Sequence, residues 1–158
     1  MVQILALKNA PEWLAALVAQ QWQVWGYARP EDLADFFRAG LTGAFPQTWL
    51  AVAGPQLLGS VSLSLHEMGD AQPPARAVWL GFLLVQEDAR GQGLGRRLMQ
   101  VAEQAAAAQG IDTLYLYTAD QAERYGRWGW QALETVQFQG EPVVVMVKTQ
   151  SVSQGAAP

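Results

Sequence analysis

Six residues, Arg90-Gly91-Gln92-Gly93-Leu94-Gly95, place a glycine at every second position between an apolar run and a helical pattern. Glycines in such a turn allow positive φ and close approach of a ligand to the main chain. The free N–H groups and positive dipole end of the following helix attract an anion. A pyrophosphate is the natural guest, and Arg90, Arg96 or Arg97 can add charge-assisted bonds to its oxygens. Five of the ten Lys and Arg lie between Arg90 and Arg127, a basic zone in a chain of net charge −4. The plain alternatives are a turn that only packs a helix on a strand, and arginines that are only solvated helix surface.

Other phosphate loops do not fit. The dinucleotide fingerprint G-x-G-x-x-G requires glycine where Arg96 stands and should open the first β-α-β unit, whereas this turn follows several strands. A Walker loop requires Gly-Lys-Ser or Gly-Lys-Thr, and the only lysines are Lys8 and Lys148. Zero cysteines exclude disulfides, thiolate metal sites and a cysteine acyl-enzyme, and the single His66 excludes a histidine cluster, so no metal is expected. Transfer chemistry is left to tyrosine, carboxylates, backbone amides or water.

The elements that must position these groups follow from periodicity. Val2 to Lys8 alternates as a strand. A helix from Pro11 carries Trp13, Leu14, Leu17, Val18, Trp22 and Trp25 and ends at Gly26, and a second runs from Pro30 to Gly40. Trp49–Ala53 and Leu57–Leu65 form a hairpin around Gly54-Pro55, and 67–76 is a loop. Ala77–Val85 is an unbroken apolar run suited to a strand covered on both faces, with Gly81 compatible with a bulge. The next helix turns Leu94, Leu98, Val101, Ala102, Ala105 and Ala108 inward and Arg96, Arg97, Gln100 and Glu103 to water, closing at Gly110. Ile111–Tyr117 is a strand, Ala119–Trp128 a short helix, and Gln131–Gln137 and Pro142–Thr149 are final strands. The order is β-α-α-β-β-β-α-β-α-β-β, an α/β (α+β) class.

At 158 residues and 51% hydrophobic content, residues 1–149 are expected to form a single domain, with 150–158 as a disordered tail. Acidity argues against a nucleic-acid partner, and short apolar runs argue against a membrane span or signal peptide, so the expected location is cytoplasmic. The oligomeric state is left open, a homodimer included.

Val85 to Gly95 (VQEDARGQGLG) resembles the acyl-CoA signature of the GNAT superfamily, Arg or Gln followed by x-x-Gly-x-Gly or Ala. Tyr125-Gly126-Arg127-Trp128-Gly129-Trp130 resembles its second hallmark, a Tyr three residues before an aliphatic or aromatic residue, then Gly and an aromatic. Leu114 to Trp130 is also similar to a subgroup that includes the actin N-terminal acetyltransferase and many bacterial relatives.

The resemblance implies the GNAT fold, a mixed, mostly antiparallel sheet with a splay between the fourth and fifth strands. It implies acetyl-CoA as co-substrate, pantetheine paired along Leu83, Leu84 and Val85, and phosphates on Arg90, Gly91, Gln92, Gly93, Leu94, Gly95 and Arg96. An amine attacks directly in a ternary complex, a freed strand amide stabilises the oxyanion, and Tyr125 is the general acid. No carboxylate lies on Ala77–Val85, so the glutamate base of some relatives is missing. His66 and Glu67 are the nearest substitutes, beside water or an amine that deprotonates on entry. Thr118 stands where several relatives carry a CoA-contacting asparagine. Trp22, Trp25 and Trp79 are candidates for an acceptor pocket, since indole faces attract ammonium, although helical spacing places Trp22 and Trp25 in the core. Three functions fit: a small-amine acetyltransferase, a peptide or protein N-terminal acetyltransferase, and a non-catalytic acyl-CoA sensor.

Overall fold

The computed structural model describes residues 1–26, 29–65, 68, 73 and 76–152. Its strands are β1 (Gln3–Ala6), β2 (Gln47–Ala53), β3 (Gln56–Leu65), β4 (Val78–Val85), β5 (Thr113–Thr118), β6 (Gln131–Phe138) and β7 (Glu141–Thr149). Its α-helices are α1 (Leu14–Trp25), α2 (Pro30–Arg38), α3 (Leu94–Ala108) and α4 (Ala122–Arg127). The expected element order is the observed one, and short 3-10 turns at Leu7–Asn9 and Pro11–Trp13 shorten the first strand and first helix. The strands follow the hydrogen-bonded order β1-β2-β3-β4-β5-β7-β6, with β1-β2, β2-β3, β5-β7 and β6-β7 antiparallel and β4-β5 parallel. Among the described residues, no helix is long and apolar enough to cross a membrane.

The chain divides into two compact units. The first comprises Met1–Leu63 and Phe82–Ala102. There β2 pairs with β1, Gln3 opposite Val52 to Ala6 opposite Trp49, and with β3, Gln47 opposite Leu63 to Ala53 opposite Gln56. Leu14, Leu17, Val18 and Gln21 recur at the spacing of one helical face, and α1 stops where Gly26 takes a left-handed φ of 68°. Pro30 opens α2 with its φ already set, Glu31 and Asp32 suit the positive end and Arg38 the negative end. Leu7, Leu17, Val18, Leu33, Phe37, Leu50 and Val52 make the core, with Phe82 packed against it.

The second unit comprises Ser64–Gly81 and Glu103–Pro158. Here β7 lies between β5 and β6, and the β4-β5 ladder registers at Trp79 opposite Tyr115. Met68, Trp79, Val143 and Val145 form its core, with Tyr115, Tyr117, Val136 and Phe138 against it. Glu103, expected in water, is buried: Lys148 Nζ donates to Oε1 at 3.0 Å and Trp130 Nε1 to Oε2 at 3.2 Å. A helical wheel places Glu103 but cannot see a cation 45 residues further along. Gln150 Nε2 donates to the Glu103 carbonyl at 2.9 Å and its amide to Asp112 O at 2.9 Å. The rest of the expected tail, from residue 153, lies outside the described residues, as does most of the 67–76 loop.

Candidate active site

In the first unit, β4 runs out at Val85, Gln86 N is held by Leu58 O at 2.7 Å, and one 3-10 turn over Glu87–Ala89 delivers the chain to the glycines. Gly91 and Gly93 have φ of 80° and 76°, the left-handed region where a side chain is strained. A Cβ placed on either would meet nothing within 4 Å. The contrast with Gly59 on β3 is sharp, because a Cβ there would lie 2.5 Å from Leu84 O and 3.2 Å from Leu98 Cδ1. Gly59 is required by packing, whereas the turn glycines are required by conformation and face open space. The first intrahelical bond of α3 is Arg97 N to Gly93 O at 3.1 Å, so the amides of Leu94, Gly95 and Arg96 precede the ladder. Unlike α2, α3 has no acidic residue in its first turn to neutralise its positive end.

The other residues expected here are also placed. Leu94 is buried and anchors the turn, a Cβ placed on Gly95 would make ordinary contact with Val85 Cγ2 at 3.6 Å, and Gln92 and Arg96 are exposed. Arg90 is exposed and its Nε donates to Val85 O at 3.0 Å, tying the turn to the end of β4. Leu84 is buried, while Leu83 and Val85 are half-buried. One residue after Gly81, where a bulge or close backbone approach was expected, Phe82 takes a left-handed φ of 52° inside β4.

In the second unit, Thr118 accepts from the amides of Gln121 at 2.9 Å and Asp120 at 3.3 Å, fixing the turn into α4. Tyr125 is half-buried on α4, its ring in T-shaped contact with Trp128 at 5.7 Å. The amides of Trp128 and Trp130 donate to Tyr125 O at 2.9 and 3.1 Å, and Gly129, with φ 94°, ends the helix. Trp130 is buried and bonded to Glu103, so the Gly-aromatic part of the hallmark anchors α4. The Tyr125 hydroxyl has no hydrogen-bond partner among the described residues. Burial pushes its phenol above the ordinary value of 10.0, so at neutral pH it keeps its proton.

A direct consequence concerns alkaline pH. The unfolded phenol ionises near 10 while the folded one still holds its proton, so this residue's contribution to stability is complete below about pH 10 and is lost as pH rises through the folded value. The phenolate absorbance of the wild type minus that of Tyr125→Phe should have its midpoint above 10. A midpoint at or below 10 would show that the ring is not desolvated.

The readings of the three tryptophans are corrected. Trp22 and Trp25 are not core residues but 46% and 44% exposed. The buried positions beside them are Gln20 and Gln21, because the stripe through Leu14, Leu17 and Val18 continues to Gln21. Trp79 is fully enclosed, its Nε1 donating to Arg76 O at 2.6 Å, and presents no face to an acceptor. Glu67 and His66 lie outside the described residues. Gln21, Ser60 and Phe82 went unnoticed in the sequence, where a glutamine on an apolar helix face was the one available signal.

Structures with this architecture are known. The chain is similar to an acyl-CoA N-acyltransferase from Pseudomonas aeruginosa, at 25% identity and TM-score 0.69 over 94% of this chain and all of that one. It is also similar in fold to an aminoglycoside 6'-N-acetyltransferase complexed with coenzyme A, at 17% identity and TM-score 0.71 over 94% of this chain and 96% of that one. The NatC complex bound to Gag peptide and CoA contains a chain similar at 14% identity and TM-score 0.72, over 95% of this chain and 99% of that one. No match was found among curated protein sequences. The model of the acetyltransferase (GNAT) family matches residues 14–129, from the first residue of α1 to the glycine that ends α4, and the chain belongs to that family.

Proposed function

We propose that the chain transfers an acetyl group from acetyl-CoA to a primary amine of a small molecule or peptide. The observation that carries this reading is the glycine turn: two left-handed glycines facing open space, in front of a helix with no acidic residue in its first turn. That is a receptor for a pyrophosphate, and the coenzyme A bound by the aminoglycoside enzyme of the same fold carries one. The family match through residues 14–129 supports residues 1–149 working as one acetyltransferase domain.

Phosphates would rest on Arg90, Gly91, Gln92, Gly93, Leu94, Gly95 and Arg96, and pantetheine along Leu83, Leu84 and Val85. The amine nitrogen attacks the thioester carbon, a C–N bond forms, and the carbonyl electron pair moves onto oxygen, where a β4 amide stabilises it. Collapse breaks the C–S bond, the departing thiolate takes the Tyr125 proton, the proton from the attacking amine leaves to water or to Glu67, and Tyr125 regains a proton from solvent before the next turnover. Tyr125 is suited to the role by a hydroxyl that has no partner among the described residues and is protonated at neutral pH. Exposed Trp22 and Trp25 offer indole surface to a cationic acceptor.

Acetyl-CoA, and not NAD or ATP, should raise the melting temperature. A ligand at ~100-fold its dissociation constant adds about 2.7 kcal/mol to the folded state. Thiol release with a polyamine, an aminoglycoside and a short peptide then identifies the acceptor class. Absence of any shift with CoA species at millimolar concentration would overturn the reading.

A further inference from the structure

Two described non-glycine residues have left-handed backbone, Gln139 in the turn between β6 and β7 and Phe82 inside β4. A turn tolerates this, but an aromatic residue within a strand carries backbone strain that its surroundings must hold in place. The ring of Phe82 is held by Phe36 and Phe37, at centroid distances of 5.2 and 5.4 Å. Its carbonyl is held separately. Gln21 Nε2 and Ser60 Oγ both donate to Phe82 O, each at 3.3 Å, and Gln21 Nε2 also donates to Ser60 Oγ at 2.7 Å. The amide oxygen of Gln21 accepts from Trp25 Nε1 at 2.6 Å.

Every polar atom of this group is accounted for. One N–H of Gln21 serves Ser60 and the other Phe82, the Ser60 hydroxyl accepts one bond and donates one, and the Gln21 oxygen serves the indole. Gln21 and Ser60 are both 0% exposed. Packing alone would be met by Leu or Met on this face of α1, since a buried amide has to be fully paired merely to break even. The network is therefore directed at something, and what it fixes is one peptide plane. A trans peptide is planar with its C=O and N–H antiparallel, so two donors that pin Phe82 C=O also pin the N–H of Leu83 in the opposite direction, away from Gln21 and Ser60.

We propose that Gln21 and Ser60 are positioning residues that set the Leu83 amide for the thioester oxygen. The inference rests on the acetyl-transfer reading and names which amide stabilises the oxyanion and what aims it. Trp25 completes the set from the exposed end of α1, by locking the carboxamide of Gln21 in the orientation that presents both N–H groups.

The test compares Gln21→Met, Ser60→Ala and Ser60→Thr with the wild type, using the best acceptor of the amine panel, and measures kcat per folded molecule, the dissociation constant of CoA and the melting temperature. CoA has no acyl carbonyl, so its binding should stay within about threefold of wild type. Loss of aim should lower kcat about 10- to 100-fold in Gln21→Met and less in Ser60→Ala, since a displacement near 1 Å costs about 10²-fold. Ser60→Thr keeps the hydroxyl while crowding the core, so kcat should survive even as melting temperature falls. Unchanged kcat per folded molecule in both Gln21→Met and Ser60→Ala would overturn the inference alone, as would equal losses in kcat and CoA binding. A wild type that neither binds nor turns over acetyl-CoA would overturn the acetyl-transfer reading and this inference with it.

Discussion

Tyr125→Phe is expected to lower kcat by ~10²- to 10⁴-fold while leaving acetyl-CoA binding nearly intact, the range of a lost general acid. The substitution removes one oxygen and keeps the ring, so the T-shaped contact with Trp128 survives. The hydroxyl has no partner among the described residues, so its removal orphans none of them. A core tyrosine bonded to backbone would behave in the opposite way, with a lower melting temperature and full activity per folded molecule. Single-turnover kinetics decide whether chemistry limits kcat. With chemistry limiting, an unchanged kcat would remove Tyr125 from the mechanism and leave water as the proton donor.

The second large effect is expected at Gly93. Gly93→Val should fold, since a Cβ there meets nothing within 4 Å, but at φ 76° the β-branched side chain carries strain of order 1–3 kcal/mol. The new methyl groups enter the open space beside the turn that the phosphates would occupy, so CoA affinity should fall by more than ~100-fold, equivalent to about 2.7 kcal/mol. Titration calorimetry with CoA on folded protein measures this. Retained affinity would mean that the turn only joins β4 to α3. Gly59→Val should fail for the other reason, through collision with Leu84 O, and separates a packing glycine from a binding one.

The element order was legible because each segment carries its own period and its own stops. Gly26 and Gly110 take left-handed φ of 68° and 81° behind their helices, as a C-terminal glycine predicts. The glycine turn was legible for the same reason, since its chemistry is local: the residues that bend the backbone are those that would meet the phosphate. Gln21 shows where local reading stops. Its partners Ser60 and Phe82 lie 39 and 61 residues away, and no periodicity records them. The hydrophobic pattern of α1 therefore assigned the core to Trp22 and Trp25, whereas the helix turns them outward and buries a satisfied amide. Glu103 was misplaced by the same blindness to a distant cation. The left-handed backbone of Phe82 has no sequence signature at all, because nothing about a phenylalanine announces it.

The Glu103 cluster also imposes an order in time. Its carboxylate is synthesised 45 residues before the ammonium of Lys148 that neutralises it, and until then burying it leaves an unpaired charge in a poor dielectric. The last turns of α3 cannot settle while the final strand is still to come, however well their alanines pack. A growing chain therefore holds this end of the helix open toward water, and the residues that close it, Lys148 and Gln150, arrive 45 and 47 residues after Glu103.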